Sequence, residues 1–209
     1  MTSFNSNKLL CIGLSAIDLS IGSCHIYQTF SKSDDKYFAL DDTLRFINHY
    51  NPTEVLIAIN GGQENEYKNE EVVKDFTYFD LLTYLGIQDK IVHIIKAKQL
   101  KEKEKICFQN QFLGKIYSSV GMLTPIEYLS LERLDYSRIS LITLLEYAYN
   151  HNKNIISNIK EPIIFDDKKF LHMGNNAIYQ LDVISENSQS LYEIINKTLA
   201  KKFRGNPDV

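Results

Sequence analysis

The 209-residue sequence has no tryptophan, four prolines and three cysteines. Each shortage excludes something. Cys11, Cys24 and Cys107 show no paired-ligand spacing, and His25, His49, His93, His151 and His172 are scattered. Neither a disulfide framework nor a metal-ligand set is encoded, and reduced, mostly packed thiols are expected. No apolar run reaches the roughly 18 residues of a membrane span. The apolar stretch at 9–17 has only Lys8 as a basic residue before it, ends at Asp18, and lacks a small-x-small cleavage site, so it does not read as a signal peptide. There is no G-x-x-x-x-G-K-[ST] loop, no G-x-S-x-G elbow and no H-E-x-x-H pair, so no ATPase or hydrolase signature is present.

Excess charge is lacking too. The formal net charge is −3 and the pI about 6.0, so the whole chain is not an electrostatic ligand for nucleic acid. Contact with DNA would need a local patch. The balance of 44% hydrophobic and 23% charged residues is that of a soluble globular protein.

What is present begins with strands. Residues 9–18 read as a strand, Ser20, Gly22 and Ser23 as turn residues, and 24–30 as a returning strand. A short third strand is expected around 37–40. Leu40, Leu44 and Ile47 then form a helical stripe, capped by Asp41 or Asp42 and stopped at Asn51-Pro52. Residues 55–59 are a continuous apolar run, expected to be covered on both faces, and Asn60-Gly61-Gly62 ends it. From 64 to 80 the chain carries six acids and two lysines. There Val72, Phe76, Phe79 and Leu82 repeat at helical spacing, with Gly86 as the C-terminal cap. Residues 91–95 read as another buried strand, in which His93 is expected to be a satisfied core or edge residue.

The second half is more helical. Phe108, Phe112 and Ile116 line one helix, and Leu141, Leu144, Leu145 and Ala148 a longer one. Strand- and turn-like residues return after Glu161, and residues 191–199 read as helical. A boundary near Glu161 is expected. The hairpin-first, α/β-later order predicts an α/β, ribonuclease H-like domain. It would have a five-stranded mixed sheet, three strands antiparallel and two parallel, with helices on both faces. A helical segment beginning a second domain would follow.

Two groups of residues are candidate sites. Asp18, at the end of the first strand, is where a ribonuclease H-like nuclease places a metal-holding aspartate. Such a site needs further acids, and Glu54 and Asp80 are the available partners. The structural alternative is that Asp18 fixes the hairpin turn with its side chain. The stretch 90–105 holds six lysines and two glutamates. Lys96, Lys98, Lys101, Lys103 and Lys105 are therefore the candidate phosphate contacts.

The run GLSAIDLSIGS, followed by a helix and NPTEVLI, resembles the connector domain of the MutS family of DNA mismatch-repair proteins. Gly13, Leu14, Ser15, Asp18, Leu19, Ser20 and Gly22 match its G-[LV]-[AS]-x-x-D-x-[ST]-x-G hairpin. Pro52, Glu54, Val55 and Leu56 match its P-x-E-[VI]-[LI] strand. FQNQFLGKIY and TPIEYLSLERLDYSRISLITLLEYAYNHN are similar to connector helices. HMGNNAIYQLDVIS is similar to the start of the lever or core domain, with Asn176 and Leu181 corresponding in type, and SLYEIINKT to the segment that follows.

The resemblance implies a connector-like domain over 7–160 and the start of a lever over 161–209, cut short. It implies a non-catalytic role between mismatch binding and an ATPase, with ATP and Mg²⁺ used in the full-length family. Neither the phenylalanine-x-glutamate wedge nor a Walker motif occurs in these residues, so no cofactor, metal or catalytic residue is expected here. DNA, met through the full-length protein, and a MutL-like protein are the implied partners. The setting would be intracellular, whether cytoplasmic, nuclear, organellar or viral, and FQNQFL with SLYEIINKT is similar to the virus- and organelle-associated branch. The competing reading is a metal-dependent ribonuclease H-like nuclease or junction resolvase using Asp18.

Overall fold

The structure, a computed structural model, describes residues 10–59, 71–73, 76–95, 97–117, 122–153, 158–166, 180–183 and 190–195. It is mixed α/β. The chain divides into two compact units, Met1–Phe165 and Asp166–Val209. Asn60-Gly61-Gly62, Lys96 and Asn176 lie outside the described residues.

The first unit opens with β1 (Cys11–Asp18) and β2 (Ser23–Phe30), paired antiparallel from Cys11↔Phe30 to Asp18↔Ser23. The third strand expected at 37–40 does not form. The Asp35 carboxylate accepts hydrogen bonds from the backbone N–H groups of Tyr37 (3.0 Å) and Phe38 (3.1 Å) at the helix start. Helix α1 (Phe38–Tyr50) therefore begins where the strand was expected. It ends at Asn51, whose φ of 39° is left-handed and whose N–H bonds to Ile47. The free edge of β2 is taken instead by a two-residue strand from late in the chain, β7 (Ile163–Ile164), running parallel.

β3 (Glu54–Ala58) and β6 (Ile91–Ile95) pair in parallel from Glu54↔Ile91 to Ala58↔Ile95. Among the described residues they make a two-stranded sheet of their own. The expected five-stranded ribonuclease H-like sheet is thus replaced by sheets of three and two strands. Val55 and Ile57 of β3, like Leu10 and Ile12 at the start of the hairpin, pack against one buried cluster of Leu40, Leu81, Leu85 and Ile87. Side-chain packing, with no ladder recorded between β1 and β3, joins the two sheets. Neither parallel strand is fully covered: Ile91 and Ile94 of β6 are 58% and 42% exposed, and in β3 Glu54 and Ala58 are exposed and the residues between them only partly buried.

The acidic segment also departs from expectation. The helix anticipated across Val72 and Phe76 starts only after β4 (Glu71–Val73) and β5 (Phe76–Thr77) have paired. Thr77 and Asp80 form a capping box that opens α2 (Tyr78–Tyr84). Gly86, at a φ of +63°, ends the helix as predicted, with Ile87 N–H bonded to Leu82 O at 3.1 Å.

Four helices complete the unit: α3 (Ala97–Lys103), α4 (Ile106–Ile116), α5 (Pro125–Tyr128) and α6 (Asp135–His151). Leu141, Ile142 and Leu145 of α6 are completely buried against Cys24, Ile26, Leu113 and Leu131. At about 2 kcal/mol for each such side chain, this cluster is the main source of stability. Of the second unit, the described residues include α7 (Leu191–Ile195). No helix among the described residues is long and apolar enough to cross a membrane.

Candidate functional site

Asp18 lies at the mouth of the β1–β2 turn and is spent on it. Its Oδ1 accepts from the N–H of Ser20 (2.8 Å) and from the Ser20 hydroxyl (2.5 Å), while its carbonyl accepts from Gly22 N–H (2.8 Å). The Ser20 hydroxyl, then the Ser20 amide, hold the carboxyl below its usual range. The other two candidate acids are engaged elsewhere. Asp80 caps α2, and Glu54 stands 3.3 Å from the hydroxyl of Tyr147 and 3.5 Å from His93 Nε2. Among the described residues no three His, Cys, Asp or Glu side chains converge as a metal site.

Gly13, Ser15 and Gly22 of the hairpin motif are likewise occupied. A Cβ on Gly13 would lie 2.1 Å from the carbonyl carbon and oxygen of Tyr136, the second residue of α6. Ser15 and Ser140 hydroxyls meet at 2.9 Å one turn further along the helix. Gly22 is left-handed at φ +70°, and a Cβ there would sit 2.1 Å from Asn158 O. Glycine is needed at both positions, for close approach at the first and for approach and conformation at the second.

The N-terminus of α6 has no local side-chain cap. It is capped from β2, where Gln28 Oε1 accepts from the N–H of Tyr136 (2.9 Å) and Ser137 (3.3 Å). The Ser137 hydroxyl donates to Tyr27 O at 2.6 Å. The hairpin and α6 are therefore one welded piece. Nothing in the local sequence marks Gln28 as a cap, because its partners are 108 and 109 residues away.

Arg138 extends the weld. Its buried guanidinium donates to Gln109 Oε1 (2.5 Å), Leu131 O (2.7 Å) and Asp135 Oδ1 (2.6 Å). Gln109 in turn donates to Lys103 O at 2.7 Å. Burying a charge is tolerable only with such partners. This one ties α6 to α4 and to the end of α3.

The lysine stretch is divided by this arrangement. Lys103 is buried, with its ammonium 2.6 Å from Glu146 of α6. Lys98 and Lys101 on α3, and Lys105 just beyond it, are exposed. Those three are the described lysines of the candidate set that are open to a phosphate.

An aromatic cluster, unseen in the sequence, closes the unit. The ring of Phe165 stands 5.6 Å from Tyr27, 5.3 Å from Phe46, 5.3 Å from His49 and 5.8 Å from Tyr50. His25 faces Tyr50 at 5.1 Å; burial, and then the neighbouring His49, lower its pKa from 6.5. Cys24 is completely buried beside the Tyr117 hydroxyl, and burial pushes its thiol up to about 12. His93, half-buried, bonds the Tyr147 hydroxyl at 3.1 Å.

Among the described residues the hairpin motif serves turns and close contacts, and the chain as a whole is similar to a MutS-like protein. The similarity is to a protein of Acanthamoeba polyphaga mimivirus, described as a MutS homolog of DNA mismatch repair. The two are 34% identical over 222 aligned positions, covering 95% of this chain. The chain spans 19% of that relative's length. No protein-family model matches the chain.

Proposed function

We propose that this chain is the connector-like segment of a MutS-like mismatch-repair protein, and that it works by packing rather than by chemistry. The observation that carries this reading is the fate of its hairpin motif: Gly13, Ser15, Asp18 and Gly22 are each consumed by a contact inside the unit. A connector passes on the state of its neighbours by moving as a rigid body. A hairpin welded to a 17-residue helix and braced by Arg138 suits that task.

In this reading, mismatch recognition, ATP and Mg²⁺ belong to other parts of a full-length protein. DNA is met through that protein inside the cell, and a MutL-like protein is the partner. The chain by itself neither binds nor hydrolyses ATP, since its sequence holds no G-x-x-x-x-G-K-[ST] loop to present backbone amides and a lysine to the β- and γ-phosphates.

The deciding experiment incubates the chain with branched DNA and RNA–DNA hybrids in Mg²⁺ or Mn²⁺, beside Asp18→Asn. The expected result is no metal-dependent cleavage by either. Cleavage that is lost in the variant replaces the connector reading with that of a nuclease. Calorimetry with ATP gives a second check, and micromolar binding would contradict the proposal.

A further inference from the structure

We propose that residues 160–165 form a strap on the first unit, hinged at Ile159 and latched by the single ring of Phe165. This stands on the geometry of the chain itself, whatever the fate of the connector reading.

The strap's own strand holds it weakly. β7 pairs through two residues, His25↔Ile163 and Ile26↔Ile164. Both isoleucines point their surface to solvent, at 57% and 54% exposure. Beyond its short ladder with β2, the strap is tied by Lys160 N–H to Gly22 O and Phe165 N–H to Ile26 O, each 2.8 Å. The Tyr117 hydroxyl donates to Lys160 O (3.2 Å) and the Tyr128 hydroxyl to the Glu161 carboxylate, so all these ties lie near the ends of the segment. Beneath it lies an open groove of about 580 Å³, shared by Lys160 and Ile163 with Ile116 and Tyr128 across from them. Close packing is thus confined to the two ends. Ile159 is 7% exposed within the main core, and Phe165 is 7% exposed in its aromatic seat.

The position of the latch gives it a consequence. Phe165 is the last residue of the first compact unit. With the ring released, the six residues 160–165 are free to leave the surface of that unit, a span of roughly 20 Å at about 3.3 Å per residue. Release also bares the edge of β2 around His25 and Ile26 to another strand. A short, exposed strand with few buried contacts is the kind of element that opens locally while the core stays folded.

The test is amide hydrogen exchange on the full 209-residue chain. Phe165→Ala should speed exchange at Lys160 and position 165 by tenfold or more, leaving the β1–β2 ladder and α6 unchanged. The double variant Ile163→Ser/Ile164→Ser should change strap exchange less than threefold. Unaltered strap exchange in Phe165→Ala, equal acceleration in the double variant, or acceleration spread over β1 would each overturn the latch. Should Phe165→Ala not fold, exchange of the wild-type chain in rising urea decides. Strap amides should exchange through a small opening with a shallow urea dependence. Strap and β1 amides following one common dependence would overturn the proposal.

Discussion

Gly13 of β1 and Tyr136 of α6 are in backbone contact, with room for no atom between them. A Cβ on Gly13 would fall 2.1 Å from both the carbonyl carbon and oxygen of Tyr136. The contact lets Ser15 reach Ser140 and Gln28 reach the helix N-terminus.

Gly13→Ala should therefore force hairpin and helix apart. Overpacking of a tight core contact costs about 3 kcal/mol when the obstacle is backbone and cannot rotate away. The urea midpoint should fall accordingly with an unchanged slope, and Gly114→Ala is the control. A Cβ at Gly114 meets only the ring of Pro125, at an ordinary 3.5 Å. Equal stability of the two variants would show that the approach is not needed.

The lysines of α3 should separate into two kinds. Lys103→Gln leaves Glu146 without its partner and should lower stability by about 1–3 kcal/mol, the lower part of the range for a broken pair because Glu146 is partly exposed. Lys98→Gln, Lys101→Gln and Lys105→Gln should leave the urea midpoint unchanged. Denaturation of the four single variants checks this.

Acid should weaken the aromatic seat. The folded chain holds the pKa of His25 below 6.5, so below that pH the unfolded chain binds a proton more readily. The stability from neutral His25 is complete above about pH 6.5 and falls as the pH drops through that value. His25→Gln should lose less stability than wild type between pH 8 and pH 5, read from urea midpoints. Parallel losses would remove His25 from the account.

Periodicity made the elements legible, because it reports which face is buried. The hairpin, α1, α4, α6 and the strand at 91–95 all follow from stripes or apolar runs. The sheet order was not legible. The third strand yielded to a helix, with Asp35 holding the N–H groups of Tyr37 and Phe38 in the turn that opens it, and its place beside β2 went to Ile163–Ile164, more than 130 residues later in the sequence. Pairing over such a distance leaves no local trace. Of the candidate site, Asp18 was readable as a turn residue, since the Asp-x-Ser spacing is local. The inward turn of Lys103 was not, because Glu146 lies on another helix.

The most direct test of the connector reading is a titration of matched and mismatched duplexes at low salt. Binding should be weak and equal for the two, because the sequence holds no phenylalanine-x-glutamate wedge to enter a weakened base stack. It should fall with a log–log salt slope of about −3 if Lys98, Lys101 and Lys105 each meet one phosphate. It should vanish near physiological salt, and also when those three, with Lys96, are changed to glutamine. A clear preference for the mismatch, or binding indifferent to the lysine changes, would contradict the account and make this segment a recognition module.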